Sequence, residues 1–133
     1  MQVEVFAICD AATSDNGKLN ILGSFDTIWV KKFPAVYAHC AVAAKMRFLA
    51  LEKGEHTIAV RFIDEDGHNI LPPANGSFSV NMPADQRSAS ADIVLNIQSL
   101  NLAKPGEYAL ELAVDGHNAI SLPLFVRPAP QPV

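Results

Sequence analysis

The run Asp-Gly-His-Asn occurs twice, at Asp66–Asn69 and at Asp115–Asn118. Imidazole nitrogens and carboxylates together suit zinc and similar ions. Asp66, His68, Asp115 and His117 would form a ligand set, for a metal or a small molecule, if both runs met at one end of the fold. The plainer reading is the stronger one. Asp-Gly makes a tight turn because glycine accepts positive φ, and the polar residues around it face water. The acidic run Asp64-Glu65-Asp66, with Asp10, Asp15 or Asp26, could offer oxygens to calcium, but the full calcium-loop pattern is missing. Four histidines (His39, His56, His68, His117) and several serines are present without a Gly-x-Ser-x-Gly or His-Glu-x-x-His motif. The expectation is a protein that is not an enzyme and uses no cofactor. A metal-dependent hydrolase is the weakest of the readings.

A second group carries binding chemistry. Trp29, Phe33 and Tyr37 cluster beside Lys31 and Lys32. Aromatic side chains with adjacent cations are enriched where proteins meet partners. The competing reading has the aromatics cap one end of the core. The functional expectation is a domain that binds a protein partner or itself. The alternative is a small-ligand or carbohydrate-binding domain using the loop ends near the Asp-Gly-His-Asn runs.

The elements that must position these groups centre on Gly106–Val126. Side chains two apart in a strand share a face. Tyr108, Leu110, Leu112 and Val114 fall on one face, and Ile120, Leu122, Leu124 and Val126 repeat the pattern beyond Asp115-Gly116. This predicts a β-hairpin. Burying each of these apolar side chains is worth roughly 1.5–3 kcal/mol, and a lone hairpin has no second surface to cover them. Pro123 cannot donate to a ladder, so the return arm is expected at a sheet edge, or with Pro123 at a bulge.

Earlier strands supply the cover. They are expected at about Gln2–Ala11, Lys18–Val30, Tyr37–Leu51, Ile58–Phe62, Ser77–Met82 and Ser88–Gln98, with Asn16-Gly17 and Asp66-Gly67 in turns. Gly23 marks a bend or a close backbone approach. Ala38, Ala41, Ala43 and Ala44 could suggest a helix, but Lys45-Met46-Arg47-Phe48 alternates at period two and favours a strand. The fold expected is all-β: an antiparallel β-sandwich of about eight strands, immunoglobulin-like with Greek-key connections. It forms one domain over residues 1–126, followed by a proline-rich tail over residues 127–133 that is extended or disordered.

Composition narrows the partners. A net charge of −4, with 10 Lys and Arg and no basic run, argues against nucleic acid. No apolar stretch reaches the length of a membrane span. The start of the chain has no signal-peptide pattern, so a cytoplasmic location is expected. There, Cys9 and Cys40, each within an apolar run, are expected as buried thiols, with a disulfide between them the lesser alternative.

Taken in order, Cys9–Ala12, Gly17–Ile28, Gly54–His56, Asp64–Gly67, Pro105–Tyr108 and Leu122–Val126 resemble an uncharacterised bacterial family of short proteins known as a domain of unknown function. Gly17–Ile28 is the most specific of these segments. The resemblance covers nearly the whole chain and implies a free-standing β-sandwich. It implies no activity and no site residues.

Overall fold

Period-two alternation turns most of the chain into strands. The computed structural model describes residues 1–130 and has nine strands among them. They are β1 (Gln2–Asp15), β2 (Lys18–Ser24), β3 (Thr27–Val30), β4 (Ala35–Leu49), β5 (Gly54–Ile63), β6 (Ala74–Val80), β7 (Ser88–Leu102), β8 (Gly106–Val114) and β9 (His117–Pro128). One short 3-10 turn, Ala50–Glu52, joins β4 to β5. No described helix is long and apolar enough to cross a membrane.

The strands form two sheets. One is antiparallel, in the order β2-β1-β4-β7; the other is mixed, in the order β3-β9-β8-β5-β6. A single core lies between them. β4 contributes Cys40, Val42, Ala44, Met46 and Phe48; β8 contributes Tyr108, Leu110, Leu112 and Val114; Leu124 and Val126 come from β9. The predicted hairpin is therefore the heart of the mixed sheet, and its Asp115-Gly116 tip turns with both residues at positive φ.

Two expectations about β9 are corrected. It is not the edge strand, because β3 pairs with it in parallel from Phe125 to Pro128. Pro123 is accommodated by position. The Phe125 nitrogen faces β3, donating to the Asp26 carbonyl oxygen at 2.7 Å. Residues two apart point their amides the same way, so the Pro123 nitrogen faces a side where β3 has not yet begun. Arg127 and Pro128 are also part of β9 rather than of a tail. Residues 131–133 of the expected tail lie outside the described residues.

The predicted strand over residues 18–30 is two strands. Phe25 and Asp26 carry the chain from one sheet to the other, so β2 and β3 belong to different layers. Gly23 does mark a close approach. It has φ +66°, and a Cβ there would lie 2.6 Å from the Asp10 Oδ2 atom.

The alanines of β4 have a packing reason. Ala41 and Ala43 are fully buried, as is Cys9, yet all three lie outside the core between the sheets. They occupy the outer face of the antiparallel sheet. The Ser14 hydroxyl donates to Asp92 Oδ2 on β7 at 3.2 Å, so the β1–β2 hairpin folds back across β4 and covers that face. Small side chains let it settle there. Ala43→Leu should therefore destabilise the fold by about 1–3 kcal/mol through overpacking, measured by urea unfolding. No change would show that the hairpin stands clear of the sheet.

Cys9 pairs with Ala41 in register and shares its face, whereas Cys40 points into the core. Their Cβ vectors diverge, and both thiols are free. Burial, followed by the charge of neighbouring Cys9, pushes the Cys40 thiol up to about 11. Burial raises Cys9 as well. Neither sulfur is poised as a nucleophile.

Candidate functional site

The switch between sheets sets the phase of β3. Ile28 and Val30 point into the core, and Trp29 between them points out with 59% of its surface exposed. Trp29 therefore does not cap the core. Lys31 and Lys32 are exposed beside it. Phe33 and Tyr37 are half-buried and pack against the core, with the Tyr37 ring 5.9 Å from that of Phe25. Burial, with the Asp10 charge next, raises the Tyr37 phenol above its ordinary value. Of the five predicted residues, Trp29, Lys31 and Lys32 are exposed, and Phe33 and Tyr37 pack against the core instead.

Two members of this surface were not foreseen. Arg127 on β9 lies in register with Trp29, and in a sheet registered partners share a face. The Arg127 guanidinium sits 5.1 Å from the centre of the Phe125 ring, two residues earlier on the same face. Parallel pairing of segments about a hundred residues apart leaves no local sequence signal. Arg127 instead reads as part of a proline-rich tail.

The two Asp-Gly-His-Asn runs lie far apart. Asp115 sits at one end of the β5–β8 ladder, where its amide donates to the Thr57 carbonyl at 2.9 Å. Asp66 follows Ile63 at the other end, 4.0 Å from Lys104 Nζ. The six residue steps from Thr57 to Ile63 span about 20 Å of strand. A joint ligand set of Asp66, His68, Asp115 and His117 is thus not assembled. His117 opens β9 and is exposed.

Locally, Asp64, Asp66 and His68 bring potential ligand atoms within 4.8 Å of one another. Asp64 Oδ1 is already committed to the turn, accepting the amides of Asp66 and His68 at 2.9 Å each. These bonds, the His68 amide foremost, hold the Asp64 carboxyl below its ordinary value. The arrangement closes a loop on the protein surface.

The second run has a different partner, one that sequence reasoning missed. His56 Nδ1 lies 2.7 Å from Asp115 Oδ2, and His56 Nε2 contacts the Glu52 carbonyl oxygen. The imidazole stacks 4.6 Å from the Phe48 ring and 5.8 Å from that of Phe78. Both ring nitrogens face acceptors, so the geometry suits the doubly protonated imidazolium. The Asp115 hydrogen bond, followed by the Glu52 carbonyl, raises His56 above its ordinary value of 6.5. The same pairing, with the Thr57 amide, lowers Asp115 below 3.8. This clasp ties the β4–β5 turn to the β8–β9 tip. With both nitrogens occupied, His56 has none left to activate a nucleophile.

The clasp has a pH signature. A raised histidine stabilises the fold fully below its unfolded value, and that contribution is lost as pH rises through the folded one. A lowered carboxylate contributes above its unfolded value and loses that contribution as pH falls through its folded one. The pair therefore contributes most between about pH 4 and 6.5. The stability difference between the natural chain and His56→Gln should shrink as pH rises from 6 to 9 in parallel urea titrations. A difference that stayed constant would place the proton elsewhere.

The fold and the surface define an all-β, two-layer domain with an exposed aromatic and cationic face on one edge of its mixed sheet. The chain belongs to the Family of unknown function (DUF6941), which residues 4–127 match. No curated protein matches it. Among solved structures, it is similar to part of a β-glucosidase from Listeria innocua in complex with isofagomine, with TM-score 0.51 and 9% identity. That match covers 97% of this chain but only 17% of the glucosidase, and it bears on fold alone. An alkylpurine DNA glycosylase from Pseudomonas fluorescens, bound to DNA containing an abasic site analog, matches with TM-score 0.43 and 13% identity. It covers 92% of this chain and 30% of that one, a likeness too low to carry an argument.

Proposed function

We propose that this domain is not an enzyme and acts by binding another protein, or itself, through the surface centred on Trp29. The observation that carries the reading is the exposure of the indole on the outer face of β3, in register with Arg127. Trp and Arg dominate the energetics of protein interfaces. An exposed indole has little to contribute to the core, so its place on the surface is better explained by contact. The small-ligand reading loses its main support, because the two Asp-Gly-His-Asn runs do not face one pocket.

The strand order supports an immunoglobulin-like, Greek-key reading of the fold. β1, β2, β4 and β7 lie in one sheet and β3, β5, β6, β8 and β9 in the other, so the chain changes sheet at β2–β3, β3–β4, β4–β5, β6–β7 and β7–β8. Two buried thiols on opposite faces of a sheet suit a reducing cytoplasm.

The test is affinity capture from the native cell extract at moderate salt, with three baits: the natural chain, Trp29→Ala and Leu51→Ala. Leu51 is an exposed apolar residue in the β4–β5 turn and serves as a control. A stoichiometric partner, or self-association seen by sedimentation, should be lost with Trp29→Ala alone. Equal capture by all three baits would remove the Trp29 surface from consideration.

A further inference from the structure

The edge beside Trp29 narrows the kind of partner. β3 is the terminal strand of the mixed sheet. One of its sides is used: Phe125 donates its amide to the Asp26 carbonyl at 2.7 Å, and Ala129 donates to that of Val30 at 2.8 Å. Peptide groups alternate sides along a strand. The N–H and C=O groups of Thr27 and Trp29 therefore point away from β9, and among the described residues no strand pairs with them. Such an edge is a template for a further strand.

Charge says which strand fits. Lys31 and Lys32 follow Trp29 in the chain and are exposed, Arg127 lies in register with it, and among the described residues no carboxylate lies within ion-pair distance of any of the three. On the same face of the sheet, Glu107 stands opposite Phe125. Nearby Glu65 is held by the Glu107 amide at 2.6 Å. On a chain of net charge −4, this cationic rim opposes general strand pairing and admits an acidic one.

We infer that the partner presents an extended, acidic segment that adds to the free edge of β3. Its main chain bonds Thr27 and Trp29, one side chain rests on the indole, and its carboxylates meet Lys31, Lys32 and Arg127. This rests on the Trp29 reading and adds to it the geometry and charge of the partner.

The experiment titrates the isotope-labelled full chain with acetyl-Glu-Val-Asp-Ile-Glu-Val-amide. Two controls run beside it: a peptide with lysine at each acidic position, and one N-methylated on the backbone at the second to fifth positions, which removes the main-chain donors in either strand orientation. Near saturation, the acidic peptide should slow amide exchange at Thr27 and Trp29 by about tenfold or more, corresponding to a local closure of about 1.4 kcal/mol. Lys31→Glu/Lys32→Glu should weaken it by a similar factor, and both control peptides should fail. Binding by the lysine peptide, slowed exchange only elsewhere, or no binding at millimolar peptide would overturn the inference. If the acidic peptide fails while Trp29→Ala still abolishes capture, strand addition is wrong and the Trp29 surface stands. If capture also survives Trp29→Ala, both are wrong.

Discussion

Phe48→Ala is expected to destabilise the domain by about 3–5 kcal/mol, a large share of the stability of a small domain. Phe48 is fully buried near the end of β4. Its ring lies 5.7 Å from that of Phe78, edge-on, and 4.6 Å from the His56 imidazole. Removing it opens a cavity at the end of the core where the β4–β5 turn and the β8–β9 tip are clasped. The surroundings cannot collapse easily, because His56 is fixed by Asp115 on one side and the Glu52 carbonyl on the other. The measurement is urea unfolding with the slope checked against the natural chain. A loss below about 1 kcal/mol would mean that this end of the core is loosely packed, contrary to the burial described.

Trp29→Ala should behave in the opposite way. Stability should change by no more than about 0.5 kcal/mol, as for other surface positions, because the side chain is exposed and its neighbours Ile28 and Val30 remain in the core. Binding to the captured partner should weaken by about 2 kcal/mol, roughly thirtyfold, as for an aromatic hot spot. Calorimetry with the purified partner, alongside unfolding curves, separates the two effects. A variant that loses binding because it has unfolded would show the indole to be structural.

Much of this architecture is legible in the sequence, for a simple reason. Alternation of Tyr108, Leu110, Leu112 and Val114 is a local signal, and those four residues are indeed in the core. The turns at Asn16-Gly17 and Asp115-Gly116 are also local, written in residues that tolerate positive φ. What the sequence hides is relative placement. Lys18–Val30 reads as one strand because its apolar pattern continues through Phe25, where the chain changes layer. Pro123 points to an edge, yet the partner strand β3 simply begins two residues further on. The alanines of β4 resemble helix formers until the hairpin lying over them is seen.

The site divides in the same way. Trp29, Lys31 and Lys32 can be named from their types and adjacency. Arg127 cannot, because it joins them only through a parallel pairing across most of the chain. His56 is missed for a related reason. Its partner Asp115 is drawn toward the other Asp-Gly-His-Asn run by likeness of sequence, whereas the antiparallel register of β5 and β8 places the two runs at opposite ends.

The central claim, that Trp29 is where a partner docks, is tested most directly by fluorine NMR. Trp29 is the only tryptophan in the chain, so 5-fluorotryptophan labelling reports a single site. In the free protein its resonance should show the solvent isotope shift of an exposed indole. Adding the captured partner should move the resonance and suppress that shift, because the ring becomes desolvated. A resonance that keeps its position and its solvent sensitivity in the saturated complex would place the contact elsewhere and contradict the account.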